Sequence, residues 1–414
     1  MLRRLAAYLE KVFDFGALVA ALQDGRQQGR IPAQTIWLSV FTMFALRMGS
    51  FNALEQELRR PRRWASVVGL LRPSADTLGR VLGKFSLETA RQLVVRMNRT
   101  AWRNKAIHFD GWGGYRVVAI DGHELFSSRA RCCRDCMVRE VEVKGEKVQE
   151  YYHRVVVAQW AGVTPPGILD VELIKPGEGE VVAARRLFER IVKNYERLVD
   201  VICADALYLE APFIRLVLEA GKHVVVVMKQ EARELYQDAD RLRSLEKPRV
   251  VQDQQRTTRL WDLEALESFT TLGRPVRVVW AEELTQELQF KGGKRQSVEV
   301  SKTWAWVTDL PAAIVPAVLI QRWGHARWDL ENRGFNELAS HWAMDHCFVH
   351  QSTAIATLLL TLAAAFLATY LFYERNLKPA IRDRVTRLTL ASRLFEDLAS
   401  LEETTLWSQR PRDG

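Results

Sequence analysis

The chain has 414 residues, of which 48% are hydrophobic and 26% are charged, and this globular composition excludes wholesale disorder. Its length predicts two or three domains. With 59 Lys and Arg against 50 Asp and Glu, the net charge of +9 favours a polyanionic partner or an acidic membrane surface. Five cysteines are too few for a disulfide-stapled secreted fold, and residues 1–10 lack the apolar run of a signal peptide, so we expect a cytoplasmic protein.

The positive charge is concentrated in the N-terminal quarter of the chain. Residues 1–105 hold 18 Lys and Arg against 7 Asp and Glu, a net +11, whereas the remainder carries −2. The densest cluster consists of four arginines, Arg59, Arg60, Arg62 and Arg63. Such a cluster can neutralise several phosphates, although a solvated turn between helices is the alternative for an isolated charge run. The regional charge favours binding to nucleic acid.

Helical patterns fill the same region and predict an all-α N-terminal domain over residues 1–105. Residues 36–46 are apolar enough for a buried helix, and Ser74 is placed to cap a helix whose apolar residues recur at helical spacing. Short helices with basic residues between them suit a DNA-binding module of the helix-turn-helix type.

Strand-like and helical segments alternate from residue 115 onwards. The predicted strands cover residues 115–120, 151–160, 168–174, 199–203 and 222–228, and the predicted helices cover 180–195 and 212–220. This alternation predicts an α/β fold with a mixed sheet covered by helices on both faces. Asp121 and Asp205 each follow a predicted strand, where ligands gather on open α/β sheets. Each of them alone could instead form a turn or cap a helix.

A third carboxylate lies far downstream, on a predicted helix. Arg327 and Glu331 are one helical turn apart, so Arg327 could orient the carboxylate of Glu331 or contact a phosphate. An exposed ion pair that contributes little to stability is the alternative interpretation.

Three motifs, taken together, resemble those of insertion-sequence DDE transposases. They are Val118–His123, Ile202–Ala206 and Trp328–Leu338, in that order along the chain. The similarity is to the insertion-sequence-four-like group of the retroviral integrase superfamily. It implies an α/β RNase H-like catalytic core with a mixed sheet.

The resemblance assigns catalysis to Asp121, Asp205 and Glu331, which would hold a pair of Mg²⁺ (or Mn²⁺) ions. Cutting or joining a phosphodiester is an in-line displacement at phosphorus, and two hard cations held by carboxylates can activate the nucleophile and stabilise the leaving oxygen. The resemblance thus implies an enzyme that cleaves at the terminal inverted repeats of its element and transfers the ends to target DNA. Its partners would be double-stranded DNA and a second copy of the chain in a synaptic complex at the nucleoid.

The spacing of these three residues also implies an insertion. Glu331 follows Asp205 by 126 residues, which is too many for the bare fold. We therefore expect a β-rich insertion over 231–312, between a first part of the core at 106–230 and a second part with C-terminal helices at 313–414.

The group's signature, Tyr-x2-Arg-x3-Glu-x6-Lys, is only partly present. Its Arg and Glu positions fit, whereas Gly324 and Leu338 stand at the Tyr and Lys positions. The phosphate contacts of those two positions would then fall to Lys229 or Arg333. The departures leave open a metal-dependent nuclease without strand transfer, or a non-catalytic DNA-binding protein derived from a transposase.

A cysteine cluster follows the first predicted strand. Its members are Cys132, Cys133 and Cys136. Cys-x2-Cys is half of a typical structural zinc site, and His123 or His153 could complete it. A reduced thiol cluster in a surface loop is the alternative, because the sequence has no second Cys-x2-Cys.

One apolar segment has the length of a membrane span. Residues 354–373 are almost uncharged. Their content of Ala and Thr, and their position after the predicted helix of Glu331, favour a buried helix packed on the sheet. We therefore expect no membrane association.

Overall fold

The structure is a computed structural model. It describes residues 1–27, 29–60, 64–109, 112–229, 231, 233–252, 256–291 and 294–399, without the side chains of 287–294 and 399. Arg62 and Arg63 of the predicted phosphate-binding cluster lie outside the described residues.

The described residues up to position 103 fold into helices. They are α1 (Leu2–Phe13), α2 (Phe15–Ala20), α3 (Ala33–Ala45), α4 (Phe51–Leu58), α5 (Ala65–Val68), α6 (Ala75–Leu82) and α7 (Leu87–Arg103). Three of them begin after a serine whose hydroxyl accepts a hydrogen bond from an amide that the helix leaves unpaired. Ser74 is one of these serines, so its predicted capping role is confirmed, and the buried helix predicted over 36–46 corresponds to α3.

Ten strands form one mixed, mostly antiparallel sheet in the described part of the chain. They are β1 (Val117–Ser128), β2 (Met137–Val143), β3 (Glu146–Trp160), β4 (Ile168–Leu173), β5 (Val201–Ala204), β6 (His223–Val227), β7 (Arg249–Gln252), β8 (Arg256–Leu266), β9 (Val276–Lys291) and β10 (Lys294–Thr308). Their order is β2-β3-β1-β5-β6-β10-β9-β8-β7, and β4 also pairs with β3. β1, β5 and β6 are mutually parallel, which confirms the prediction of a mixed α/β sheet.

The sequence pattern does not predict β2. This strand forms a hairpin with β3 through Lys144 and Gly145, whose φ angles are 54° and 86°. Two successive positive φ angles match the twist of a tight hairpin, and glycine adopts such an angle without strain. β3 therefore begins at Glu146, five residues before the predicted strand.

The strands of the predicted insertion extend the same sheet. The end of β10 pairs antiparallel with β6, from Trp306 opposite Val227 to Thr308 opposite Val225. β9, β8 and β7 then continue the sheet outwards. The described part of this segment contains these four strands, which share the sheet that carries Asp121 and whose strand β5 is followed by Asp205; its status as an insertion stays a prediction.

The remaining helices connect and cover these strands. They are α8 (Glu180–Tyr195), α9 (Ala211–Glu219), α10 (Glu234–Leu245), α11 (Ala317–Ala326), α12 (Asn336–Trp342), α13 (Ser352–Leu371), α14 (Pro379–Arg382) and α15 (Arg387–Ala399). The predicted helices over 180–195 and 212–220 correspond to α8 and α9. α8 packs on β3 and β4, and α11 packs on β5, β6 and β10.

The apolar helix α13 is a core element that joins the N-terminal helices to the sheet. It packs against α3, α6, α7 and β4. Ser352–Asn376 has the length and composition of a membrane span, but its most apolar window is entirely buried within the fold. This burial supports the prediction of a core helix.

Candidate active site

Asp121 lies within β1, and its position corrects the sequence prediction. We expected the strand to end before Asp121, but β1 continues to Ser128 because β3 pairs with it as far as Tyr151. The side chain is buried, with 9% exposed. On its other side the parallel strand β5 ends at Ala204, so β1 runs on past its neighbour at this point.

Asp205 directly follows β5, as predicted, and lies level with Asp121 across the sheet. The register pairs Ala119 with Cys203, and each aspartate stands two residues further on. Neighbouring strands are roughly 4.8 Å apart, so this register brings the two carboxylates near each other. Asp205 also caps the 3-10 turn that follows, since its Oδ1 accepts a hydrogen bond from the amide of Leu207 at 2.9 Å. Asp205 therefore both caps this turn and lies beside Asp121.

Glu331 lies in a π-helical turn, Leu330–Phe335, between α11 and α12. The spacing of the motif predicts a regular helix, whereas the wider π turn is a form that is frequent at functional sites. One nitrogen of Arg327, Nη1, donates to Oδ2 of Asp121 at 2.5 Å and to Oε1 of Glu331 at 2.8 Å. The two accepting oxygens can therefore be no further apart than these two distances combined. Arg327 is 6% exposed, whereas the side chain of Glu331 is 46% exposed, so this ion pair is buried on the arginine side and open on the glutamate side.

A fourth carboxylate, which the sequence analysis missed, lies beside this group. Glu180 is the first residue of α8 and is 8% exposed. Its Oε1 accepts a hydrogen bond from the hydroxyl of Tyr208 at 2.9 Å, and its Oε2 accepts one from Nη2 of Arg154 at 2.6 Å. A Cβ at Gly122 would lie 2.0 Å from Oε2 of Glu180, so only glycine fits next to Asp121. Gly122 was the one signal in the sequence. A glycine in a strand indicates that another group lies close to the backbone, but it does not show which residue that is.

The electrostatics of Asp121 reflect this crowding of acidic groups. Burial raises the pKa of Asp121 to about 7, and the neighbouring guanidinium of Arg327 opposes that rise. The carboxylates of Asp205, Glu180 and Glu331 each raise the same pKa further. The other two predicted catalytic carboxylates therefore both act on Asp121, and a cation at this site would relieve their repulsion.

The two substituted positions of the signature are closed to a phosphate. A Cβ at Gly324 would lie 2.0 Å from Nε1 of Trp306, so the indole of β10 occupies the space that a tyrosine would need. Leu338 is 2% exposed and belongs to the core.

The basic residues predicted to replace those contacts are exposed. Lys229 stands two residues beyond the end of β6, at the edge of the sheet where Asp205 follows β5. Arg333 lies two residues after Glu331 and donates to Oγ1 of Thr164 at 3.3 Å. Both side chains are accessible, and a contact with phosphate remains a prediction for each.

The described arginines of the N-terminal cluster are also exposed. Arg59 and Arg60 follow the end of α4, and each forms an ion pair with a glutamate of that helix, Glu55 and Glu57 respectively. Ion pairs at exposed positions are weak and exchange readily for a phosphate. DNA binding by this cluster stays a prediction.

The cysteine cluster is only partly as predicted. Sγ of Cys133, Sγ of Cys136 and a ring nitrogen of His153 all lie within 4.8 Å of one another. Cys132 is exposed and is not part of this group. His123, the alternative ligand, instead donates from Nε2 to Oδ1 of Asp345 at 2.7 Å.

Asp121 on β1, Asp205 directly after the adjoining strand β5 and Glu331 in a later π-helical turn form a candidate three-carboxylate site. The family model described as transposase DDE domain matches residues 112–368, which is more than half of the chain, and the chain belongs to that family. No curated protein matches the chain. In general terms the function is that of a transposase, and transposase DDE domains usually use divalent metal ions.

Proposed function

We propose that this chain is the transposase of an insertion sequence of the insertion-sequence-four-like group. It binds the terminal inverted repeats of its element, cleaves DNA strands there with divalent metal ions, and joins the freed ends to target DNA. The observation that carries the proposal is the hydrogen bonding of Asp121 and Glu331 to one nitrogen of Arg327, beside Asp205.

The strand order supports an RNase H-like assignment for the catalytic core. The strands run β4-β3-β1-β5-β6, with β4, β3 and β1 antiparallel and β5 and β6 parallel to β1. In the proposed core Asp121 lies on the first strand, Asp205 follows the first parallel neighbour, and Glu331 lies on a later helical segment.

The donor set suits Mg²⁺ or Mn²⁺. Carboxylate oxygens are the ligands that these hard cations prefer, and Arg327 already places one positive charge between two of the carboxylates. When bound, the metal would activate the attacking oxygen and stabilise the leaving oxygen of the phosphodiester. Asp121, Asp205 and Glu331 would hold it.

The other residues of the site position these three. Arg327 fixes the carboxylates of Asp121 and Glu331 relative to each other, although Arg327 follows Asp121 by 206 residues in the sequence. Tyr208 and Arg154 hold Glu180 behind Gly122, so the backbone after Asp121 is confined. Because Asp121 is buried, its orientation does not depend on solvent.

In this proposal the exposed basic residues bind the DNA. Lys229 and Arg333 contact phosphates near the reacting bond. The net charge of +11 over residues 1–105, including Arg59, Arg60, Arg62 and Arg63, holds the flanking duplex. Bringing two ends together requires a homodimer, and we place the protein in the cytoplasm at the nucleoid, without membrane association.

The closed positions at Gly324 and Leu338 favour one second candidate. A protein that lost two phosphate contacts of its group could bind DNA without cutting it. That candidate is a non-catalytic DNA-binding protein derived from a transposase.

Cleavage of a labelled duplex separates these functions. The duplex carries the inverted repeat that flanks the gene, and the reaction contains either Mg²⁺ or EDTA, with a supercoiled target plasmid. We expect Mg²⁺-dependent cleavage and joined products. Asp121→Asn, Asp205→Asn and Glu331→Gln should each lower cleavage by about a hundredfold or more, since even outer-shell changes at metal sites cost about 10–100-fold.

The matched control is Glu337→Gln, which removes a carboxylate from the same helical region, on α12, and should cut like the unchanged protein. Nicks without joining would indicate a nuclease. Specific binding to the inverted repeat with no cleavage in Mg²⁺ would indicate the non-catalytic protein and would reject the proposal.

A further inference from the structure

We propose that Cys133, Cys136, His153 and His350 form a tetrahedral zinc site that fastens the start of the catalytic sheet to the C-terminal helices. The fourth ligand, His350, comes from the segment before α13 and has no sequence motif that links it to the cysteines. The site is separate from the carboxylates and supplies structure, not chemistry on DNA.

Four of the six distances among the proposed ligand atoms fit the edges of a zinc tetrahedron. Cys133, Cys136 and His153 lie within 4.8 Å of one another, and His350, which is outside this group, would have to move closer to complete the site. Zn–S bonds of about 2.3 Å and Zn–N bonds of about 2.0–2.1 Å place ligand atoms roughly 3.3–3.8 Å apart. Sγ of Cys133 lies 3.5 Å from Sγ of Cys136 and 3.5 Å from Nε2 of His153. Sγ of Cys136 lies 3.3 Å from Nε2 of His153 and 3.6 Å from Nδ1 of His350.

The cysteine pair has the local geometry of a zinc-binding turn. Cys133 and Cys136 stand in the connection between β1 and β2. The amide of Cys133 donates to Sγ of Cys136 at 3.2 Å, and the amide of Cys136 donates to the carbonyl of Cys133 at 3.2 Å. The chain thereby turns so that both sulfurs face one point.

The histidines are held in place by the sheet and by the chain before α13. His153 lies on β3, opposite Phe126 of β1, and is completely buried. The ring of Phe126 lies 5.7 Å from that of His153 and 5.3 Å from that of His350. Sγ of Cys133 lies 3.0 Å from the carbonyl oxygen of His350, so this segment lies against the cysteine turn. That hydrogen bond needs the thiol proton, which Cys133 would lose on binding zinc as a thiolate, so the contact would open as the metal binds.

The ligand set selects the metal. Two thiolates and two imidazoles in a closed, largely buried group suit Zn²⁺, whereas the all-oxygen group at Asp121 suits Mg²⁺. Cys132 is exposed, directly before the pair, and is not in the group of ligand atoms that lie within 4.8 Å of one another. The predicted set of Cys132, Cys133 and Cys136 is therefore corrected to Cys133 and Cys136 with His153, and the proposal adds His350.

The site joins three distant parts of the fold. It ties the β1–β2 connection and β3 to the segment that follows α12 and leads into α13. Because β1 carries Asp121 and the helical region before this segment carries Glu331, the zinc would restrain both flanks of the carboxylate site. This restraint would act without any contact with DNA.

Metal analysis of the full-length protein tests the site. Protein grown with added zinc should retain one zinc per chain after gel filtration in a weak chelator. Apo protein titrated with Co²⁺ should develop the visible bands of a tetrahedral site with two thiolates. His350→Ala should weaken zinc binding about a hundredfold or more, since outer-shell changes alone cost about 10–100-fold.

Two matched controls separate the site from its surroundings. Cys132→Ser removes the neighbouring exposed thiol and should leave the zinc content unchanged. Asp121→Asn removes a carboxylate of the proposed Mg²⁺ site and should also leave the zinc content unchanged. Circular dichroism verifies that each variant is folded. Well-folded wild-type protein with neither zinc nor cobalt bands would overturn the proposal, because the cluster would then be hydrogen-bonded thiols. Wild-type zinc affinity in folded His350→Ala would equally overturn it.

Discussion

Asp121→Asn should change the pH dependence of stability in a way that only a buried, crowded carboxylate can. In the unfolded chain Asp121 titrates near 3.8, whereas in the fold it holds its proton up to a pKa of about 7. Between these values the folded state binds more protons than the unfolded state, so the free energy of unfolding falls as pH rises. The full difference between the two pKa values corresponds to about 4 kcal/mol.

Asparagine carries no charge at any of these pH values, so position 121 of the Asp121→Asn variant contributes no pH dependence to the free energy of unfolding. The free energy of unfolding of Asp121→Asn, minus that of the unchanged protein, should therefore increase by about 2–3 kcal/mol between pH 5 and pH 8, and level off above that. Urea denaturation in EDTA at several pH values measures this difference. The other titrating groups are common to both proteins, so their contributions largely cancel.

The second part of this prediction concerns the effect of Mg²⁺ on stability. If the carboxylates hold the ion, saturating Mg²⁺ at pH 8 should stabilise the unchanged protein and leave Asp121→Asn nearly unaffected. A stability difference that stays constant with pH would refute the raised pKa. Equal stabilisation of both proteins by Mg²⁺ would refute the role of Asp121 as a ligand.

Three further substitutions test contacts around the site and in the N-terminal helices. Gly122→Ala places a Cβ 2.0 Å from Oε2 of Glu180 and should lower the free energy of unfolding by about 1–3 kcal/mol, the usual range for overpacking. Gly324→Ala should also destabilise, although alanine favours helices, because its Cβ would lie 2.0 Å from Nε1 of Trp306. Ser74→Ala removes the cap of α6 and should cost about 1 kcal/mol. Urea denaturation at pH 7 measures all three.

One glycine provides the matched control for the first two substitutions. Gly179 has a φ of −80°, and nothing lies within 4 Å of the position where its Cβ would be. Gly179 is also the N-cap of α8, where alanine is less favourable than glycine, so Gly179→Ala should lower the free energy of unfolding by at most about 1 kcal/mol and by less than Gly122→Ala. Destabilisation by Gly179→Ala equal to that by Gly122→Ala would show that the close approach to Glu180 is not the cause.

Much of the fold could be predicted because its signals are local. The helix α8 begins and ends where the helical spacing of its apolar residues begins and ends. Ser74 marks the start of α6, because its hydroxyl accepts a hydrogen bond from the amide of Thr77, three residues later. The four consecutive valines of β6 predict a strand buried on both faces, and the structure places it inside the sheet.

The exact place of Asp121 could not be predicted, for a physical reason. Asp121, Gly122 and His123 are residues typical of a strand end, and a local pattern ends the strand there. β1 continues because β3, some 30 residues later, supplies hydrogen-bond partners as far as Ser128. Pairing over that distance overrides the local preference.

The residues missed around the two proposed metal sites, Glu180 and His350, were missed for the same reason. Glu180 is an ordinary first residue of a helix in the sequence, and its role rests on contact with Gly122, 58 positions earlier. His350 follows Cys136 by 214 residues, and only the packing of α13 against β4 and the N-terminal helices brings its segment to the cysteines. Contacts of this kind produce no periodic pattern and no fixed spacing of residues that could be recognised in the sequence.

The location of Mn²⁺ in crystals of the protein bound to DNA from its element's end tests the carboxylate site most directly. Anomalous scattering should place the ion about 2.2 Å from carboxylate oxygens of Asp121, Asp205 and Glu331. An ordered complex in which Mn²⁺ contacts none of the three, or in which Glu331 is turned away from both aspartates, would contradict the proposed catalytic centre.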